Sequence, residues 1–219
     1  MSAGVSKGGL RQILKWSQRV LFACAIVLLG YCGLSLTSSW LFQRRASQNL
    51  DRQLRDRRIA GALRPQPAGV AAPRSPEPAT GSLIGRIEIT RLRLSVMVVE
   101  GVDKANLRRA VGHIPGTALP GEAGNVGLAA HRDTYFRRLK DVKIGDRIQL
   151  ATLKGIFKYE VVSLRVVEPD NIEVLAPSGE NVVTLVTCYP FYFVGPAPKR
   201  WIVRARQVSS QAVTASTVK

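Results

Sequence analysis

The stretch VVTLVTCYPFYFVGPAPKRWIVRA, residues 182–205, decides the reading of the fold. Its two ends, Val182–Thr187 and Trp201–Ala205, are short runs of β-branched and large apolar residues. Three prolines (Pro190, Pro196, Pro198) and Gly195 stand between them, the residue types that interrupt strands and make turns. The pattern is strand, loop, strand. If the two runs pair as a hairpin, Arg200 at the start of the second returns beside Cys188 at the end of the first.

The same texture recurs upstream. Leu83–Thr90 and Leu94–Val99 alternate apolar and polar residues, and Val126–Ala130, Arg147–Ala151, Ile156–Val162 and Leu164–Val167 are further β-branched runs. Gly, Pro, Asn and Asp cluster between them. The pattern predicts about eight short strands and only small helices. One of these is expected over Asp103–Ala110, with Asp103 as its N-cap and its end near Gly112. Many short strands with frequent turn signals point to an all-β domain, a closed barrel or a sandwich.

Toward the N-terminus the character changes. Residues 1–19 are basic and hold no acid, and Val20–Phe42 carries no charge, 23 residues dominated by apolar side chains. As a helix that run spans about 30 Å, the thickness of a hydrocarbon layer. It is longer than the apolar core of a signal peptide requires, and no small-x-small site precedes Arg44, so an uncleaved transmembrane helix is expected. Residues 43–63 read as a helical continuation, and residues 64–81 as a Pro/Ala-rich linker. The net charge of +17 divides into +9 for residues 1–80 and +8 for the rest. Half of the excess therefore flanks the apolar helix, where anionic lipid headgroups are the natural partner. Nucleic-acid binding is not expected, because no aromatic–basic strand pair, zinc spacing or basic helix is present. Basic residues flank both sides of the apolar run, so charge alone leaves its orientation open.

Cys24 and Cys32 fall inside the apolar run, which leaves Cys188 as the lone cysteine of the β domain. One well-placed Cys and one well-placed His are too few ligands for a metal, and neither a metal nor a cofactor is expected. His131 ends the run Val126–Ala130 as Cys188 ends Val182–Thr187, so both stand where a strand leaves the core and meets a loop. A thiol, an imidazole and the nearby guanidinium of Arg200 are the parts of a cysteine acyl-transfer site. They supply a nucleophile, a proton carrier and a cation for the oxyanion. Residue by residue, ordinary readings stand beside these: a buried structural cysteine, a hydrogen-bonded strand-end histidine, a solvated arginine. His113, in a loop rich in turn residues, reads as an ordinary residue.

Taken together the segments resemble a sortase. TLVTC (Thr184–Cys188) is similar to the family's TLxTC signature, and VGLAAHRDT (Val126–Thr134) to its histidine strand, with Ala130 where Gly is frequent. KRWIVRA (Lys199–Ala205) is similar to the strand that carries the family arginine, and GHIPGTALPGEAGN (Gly112–Asn125) to the loop before the histidine strand. CYPFYFVGPAPKRWIVRA looks most like class D sortases. The resemblance implies an eight-stranded sortase-like β-barrel with short helices over residues 82–207, preceded by the transmembrane helix at 20–42 and followed by a flexible tail at 208–219. It implies Cys188 as nucleophile, His131 as proton donor and acceptor, and Arg200 as the oxyanion-side cation.

The activity it implies is cleavage of an LPxTG-like sorting signal between Thr and Gly, through a thioester on Cys188, with transfer of the acyl group to an amine. The peptide is expected near Val166–Asn181. The implied partners are exported proteins bearing a C-terminal sorting signal and a cell-wall or pilin amine. The implied location is the cell membrane, single-pass, with the N-terminus cytoplasmic. Two rival expectations are a Cys-dependent peptide hydrolase on the same fold and a non-catalytic, membrane-tethered peptide-binding adaptor.

Overall fold

The computed structural model describes residues 7–63 and 78–212. Most of the expected linker (64–77), the end of the expected tail (213–219) and the first six residues lie outside them. The chain divides into two compact units, Met1–Leu41 and Phe42–Lys219. Helix α1, Lys7–Leu63, runs through both. Its share of the first unit contains the apolar run, with Leu21, Phe22, Ile26, Val27, Leu28, Leu29 and Leu34 all exposed. By length and composition it can cross a membrane, with a mean hydropathy of 2.2 over its most apolar window.

The second unit is a closed barrel of eight strands: β1 (Leu83–Ile89), β2 (Leu94–Glu100), β3 (Val111–His113), β4 (Asn125–Ala129), β5 (Arg147–Thr152), β6 (Gly155–Val167), β7 (Val182–Tyr189) and β8 (Lys199–Ala212). Around the barrel the order is β1-β2-β3-β4-β7-β8-β6-β5. The pairs β2–β3 and β4–β7 are parallel and the others antiparallel. Period-two alternation fills the interior with Ile87, Val98, Leu128, Leu150, Leu185 and Val203, among others. Helix α2, Lys104–Arg109, begins as expected. The carboxylate of Asp103 accepts the backbone N–H groups of Ala105 and Asn106 and so satisfies two otherwise unpaired donors.

The strand count matches expectation through two compensating differences. β3 was expected as loop. It has three residues, one of them Gly112, too few to show a period. It survives by pairing on both sides, with Val98–Glu100 and with Leu128–Ala129. The two runs expected over Ile156–Val162 and Leu164–Val167 are one strand, β6, because the ladder to β8 absorbs Val162 as a bulge between Val161 and Ser163. β8 continues to Ala212, paired with Gly155, so residues 208–212 of the expected tail are strand.

The second unit also includes part of α1. On β5, β1 and β2 the outward-facing row Ala151–Arg86–Met97 is covered rather than exposed, since Met97 and Ala151 are buried. The covering groups lie on one helical face, at Gln43, Ser47, Leu50, Asp51 and Arg57. Gln43 accepts the Met97 N–H and donates to the Arg109 carbonyl. Asp51 and Ser47 receive Arg86, Arg57 donates to Leu153 O, and Leu50 is fully buried. The expected juxtamembrane segment is therefore part of the folded domain.

Two stability outcomes follow from this packing. Leu50→Ala should lower unfolding free energy by about 2–4 kcal/mol, the range for emptying a buried leucine site, measured by denaturant melts of the full chain. The second concerns Asp146, at the start of β5, which is buried and takes hydrogen bonds from the Arg91 guanidinium and the Lys143 N–H. The Arg91 hydrogen bond, aided by Lys143, holds its carboxyl below the usual carboxylate range. A depressed carboxylate stabilises the fold above its unfolded value of about 3.9, and that contribution is lost as pH falls through the lower folded value. Asp146→Asn should flatten the acid limb of the stability–pH profile below about pH 4 and leave the neutral limb parallel to wild type.

Candidate active site

The geometry of the site begins with strand parity on β4, β7 and β8. Val183 and Leu185 of β7 point into the core, as do Val126 and Leu128 of β4 and Val203 and Ala205 of β8. Their neighbours must then face outward. Register aligns these outward residues in rows: Gly127–Thr184–Arg204, then Ala129–Val186–Ile202, then Cys188–Arg200. His131 lies two residues beyond Ala129, and Cys188 two beyond Val186 on the parallel neighbour, so the third row is His131–Cys188–Arg200. Two hydrogen bonds extend the alignment past the end of β4: Ala130 N–H to Val186 O at 3.3 Å, and Thr187 Oγ1 to Ala130 O at 2.7 Å. The three candidate residues thus share one outer face at one rim of the barrel.

His131 is exposed, and Cys188 and Arg200 are half-buried. The turn after His131 is anchored by Phe136, which is fully buried and donates its N–H to the His131 carbonyl at 3.2 Å. Arg200 Nη1 donates to the carbonyls of Ala197 and Lys199, at 3.2 and 3.0 Å. Inside the rim, Tyr189, Phe191 and Trp201 pack ring against ring, with centroids 6.0–6.5 Å apart. The Trp201 indole N–H is satisfied by Leu139 O at 3.2 Å. Beside the rim, Lys140 donates to the Tyr192 hydroxyl at 2.6 Å, which keeps its ammonium above the usual lysine range.

The opposite end of this face is closed. The β6–β7 connection, including the 3-10 turn Ile172–Leu175, crosses over the Gly127–Thr184 row. Asn125 holds it there, donating to Val174 O and Ala176 O and accepting from Thr184 Oγ1 at 2.7 Å. Gly127 leaves the necessary room: a Cβ there would stand 3.0 Å from Thr117 Cγ2 and 3.1 Å from Leu175 Cδ2. Between this connection and β6/β8 is a recess of about 160 Å³, lined by Arg165, Asn171, Glu173, Val174, Ile202 and Arg204. The face is therefore roofed toward Asn125 and uncovered toward Cys188, which is half-buried.

His113 stands away from this row, on β3 and buried. Its Nδ1 is 2.8 Å from Glu100 Oε2, and its Nε2 faces Ala118 O and Thr117 Oγ1. Both nitrogens are engaged: Nδ1 faces Glu100 at the end of β2, and Nε2 pins the loop before β4. Among the described residues no group of three His, Cys, Asp or Glu side chains is arranged to hold a metal ion. Sequence reasoning missed Asn125 and Thr184, which hold the roof over this face, and Arg132, which bridges to the β7–β8 loop. Only the position of Arg132, directly after His131, could have drawn attention to it.

A parallel β4–β7 pair inside a closed eight-stranded barrel, with a thiol, an imidazole and a guanidinium in one outward row, defines the class of barrel. A family model described as "Sortase domain" matches residues 87–208. Sortase D of Bacillus subtilis (strain 168) is 32% identical over 198 residues, 86% of this chain and 96% of that protein. Among solved structures, a sortase D5 transpeptidase of Clostridium perfringens superposes with a TM-score of 0.61 at 25% identity, covering 77% of this chain and 99% of that one. Sortase C1 from Streptococcus suis gives 0.55 at 32% identity, covering 59% and 74%. The chain belongs to the sortase family, and its barrel is the family's transpeptidase fold.

Gly127→Val should crowd Thr117 and Leu175 and displace the roof over this face. The expected cost is about 1–3 kcal/mol of stability, the range for overpacking, together with faster amide exchange across Ile172–Leu175. Unchanged exchange there would contradict the reading of Gly127 as a spacer.

Proposed function

We propose that the protein is a membrane-anchored, class D-like sortase that joins exported proteins to an amine by way of a thioester on Cys188. The observation that carries the reading is the His131–Cys188–Arg200 row, three chemically complementary groups at one accessible rim of the barrel. The match to Sortase D and the stretch CYPFYFVGPAPKRWIVRA support the class assignment.

In this reading a sorting signal of LPxTG type lies against the outer face near the Val166–Asn181 connection, with its Thr carbonyl at the rim. The Cys188 thiolate attacks that carbonyl, and the Sγ–C bond forms as electrons move to oxygen. Guanidinium suits the oxyanion because it remains charged and offers a fork of donors. Among the described residues, the carbonyls of Ala197 and Lys199 engage Arg200 through Nη1, and the proposal assigns Nε and Nη2 to the intermediate. His131 as imidazolium gives its proton to the departing Gly amine as the C–N bond breaks, leaving the thioester. It then takes the proton of the incoming amine, whose nitrogen bonds to the carbonyl carbon and releases the Cys188 sulfur. The apolar helix over residues 20–42 supplies a single-pass anchor, with the N-terminus cytoplasmic and the barrel (82–207) outside. Exported proteins with a C-terminal sorting signal and a cell-wall or pilin amine are the two substrates, and anionic lipid meets the basic flanks of the helix.

Intact-mass analysis of the protein mixed with an LPxTG-type peptide should show an acyl adduct on Cys188 that hydroxylamine removes, and added amine should convert it to ligated product. Cys188→Ala should abolish the adduct and lower cleavage on the order of 10³-fold or more. Arg200→Ala should slow cleavage about 10²–10³-fold, the range for losing one oxyanion donor. Release of free acid alone, even with amine in excess, would establish a hydrolase instead. An adduct on Cys24 or Cys32 would remove the site assignment.

A further inference from the structure

We infer that Arg132 is a positioning residue: it ties the His131 turn to the loop joining Cys188 to Arg200 and so couples the orientation of the His131 imidazole to that of the Arg200 guanidinium. The inference rests on the reading of that row as the reactive site. The chain between Tyr189 and Lys199 contains no helix or strand. Its tip gains little from burial, since Tyr192 and Phe193 are exposed and Val194 is 99% exposed. The ladders fix the Arg200 backbone beside Cys188, but this loop carries Ala197 O, one of the carbonyls that hold the Arg200 guanidinium.

Arg132 supplies what burial does not. Its Nη1 donates to Pro190 O at 2.8 Å, and its Nη2 donates to Phe193 O at 2.7 Å and Gly195 O at 3.1 Å. The guanidinium carbon lies 5.8 Å from the Phe193 ring centroid. Gly195, at a φ of 102°, adopts a backbone conformation that favours glycine and contributes one of these three carbonyls. One planar fork thus collects three carbonyls from separate points of the loop, and its own backbone continues directly into His131. Displacing the loop therefore shifts the Ala197 carbonyl that orients the Arg200 guanidinium, and displacing the His131 turn strains the same Arg132 bonds. Lysine, a single point of charge on a flexible stem, cannot reach three carbonyls along two donor directions.

The test compares wild type, Arg132→Gln and Arg132→Lys as full chains in detergent, by three measurements. In the first, amides of residues 191–197 should exchange about tenfold faster or more in Arg132→Gln, while β4 and β7 amides keep their protection. In the second, turnover of an LPxTG-type peptide should show kcat reduced about tenfold or more and KM within about threefold of wild type. The lysine variant should recover less than half of the loss. In the third, the pH profile for alkylation of Cys188 by iodoacetamide, followed on the Cys188 peptide, should be displaced in both variants. Full rescue by lysine would overturn the inference in favour of simple charge, as would unchanged loop exchange or unchanged kcat. If the wild type turns over no peptide, the functional proposal fails by itself. The exchange and alkylation data then decide the role of Arg132, and identical profiles in all three proteins would reject it.

Discussion

The structure depends on one constraint: β7 pairs in parallel with β4 and antiparallel with β8, in a fixed register. A shift of one residue in either ladder would turn a candidate side chain from the outer face toward the core. The register is held by what faces inward. Leu128, Leu185 and Val203 are all fully buried, and moving any of them outward would forfeit apolar burial on the order of 2 kcal/mol or more per side chain. Hydrophobic packing inside the barrel thus fixes the polar geometry outside it.

That division explains why the site sits at a rim. In mid-strand, the outward row Gly127–Thr184–Arg204 is roofed by the β6–β7 connection and tied down by Asn125. Two rows further along the roof ends, and side chains become accessible while their backbones are still held by the ladder. His131 is past the last residue of β4, but the Ala130 and Thr187 hydrogen bonds carry the alignment to it, and buried Phe136 anchors the turn behind it. A stiff backbone beside an open loop is what the proposed role of Cys188 requires.

Much of this was legible in the sequence, for physical reasons that differ by element. The hairpin around Cys188 and Arg200 could be read because both strands are β-branched and the loop is marked by prolines and Gly195. Helix α2 could be read because Asp103 is a local cap. What escaped was non-local. β3 is a strand only because β2 and β4 flank it, and Val162 continues β6 only because β8 accommodates a bulge. The docking of Gln43–Arg57 could not be read because its decisive contacts, Gln43 with the Met97 backbone and Asp51 with Arg86, join residues 35 and more positions apart. Arg132 escaped for the same reason, since its three partners are carbonyls, which every residue type offers.

The shared row is tested most directly by pairwise disulfide trapping against Cys188. In a background with Cys24 and Cys32 replaced by serine, cysteine is introduced singly by His131→Cys, Arg200→Cys or Lys199→Cys, and bridging is followed by intact mass under mild oxidation. A bridge requires Cα atoms within about 7 Å and converging Cβ vectors. The register predicts rapid bridging for His131→Cys and Arg200→Cys, and none for Lys199→Cys, which pairs with Tyr189 and faces the other side of the sheet. Failure of the first two, or efficient bridging by the third, would contradict the alignment from which the rest is built.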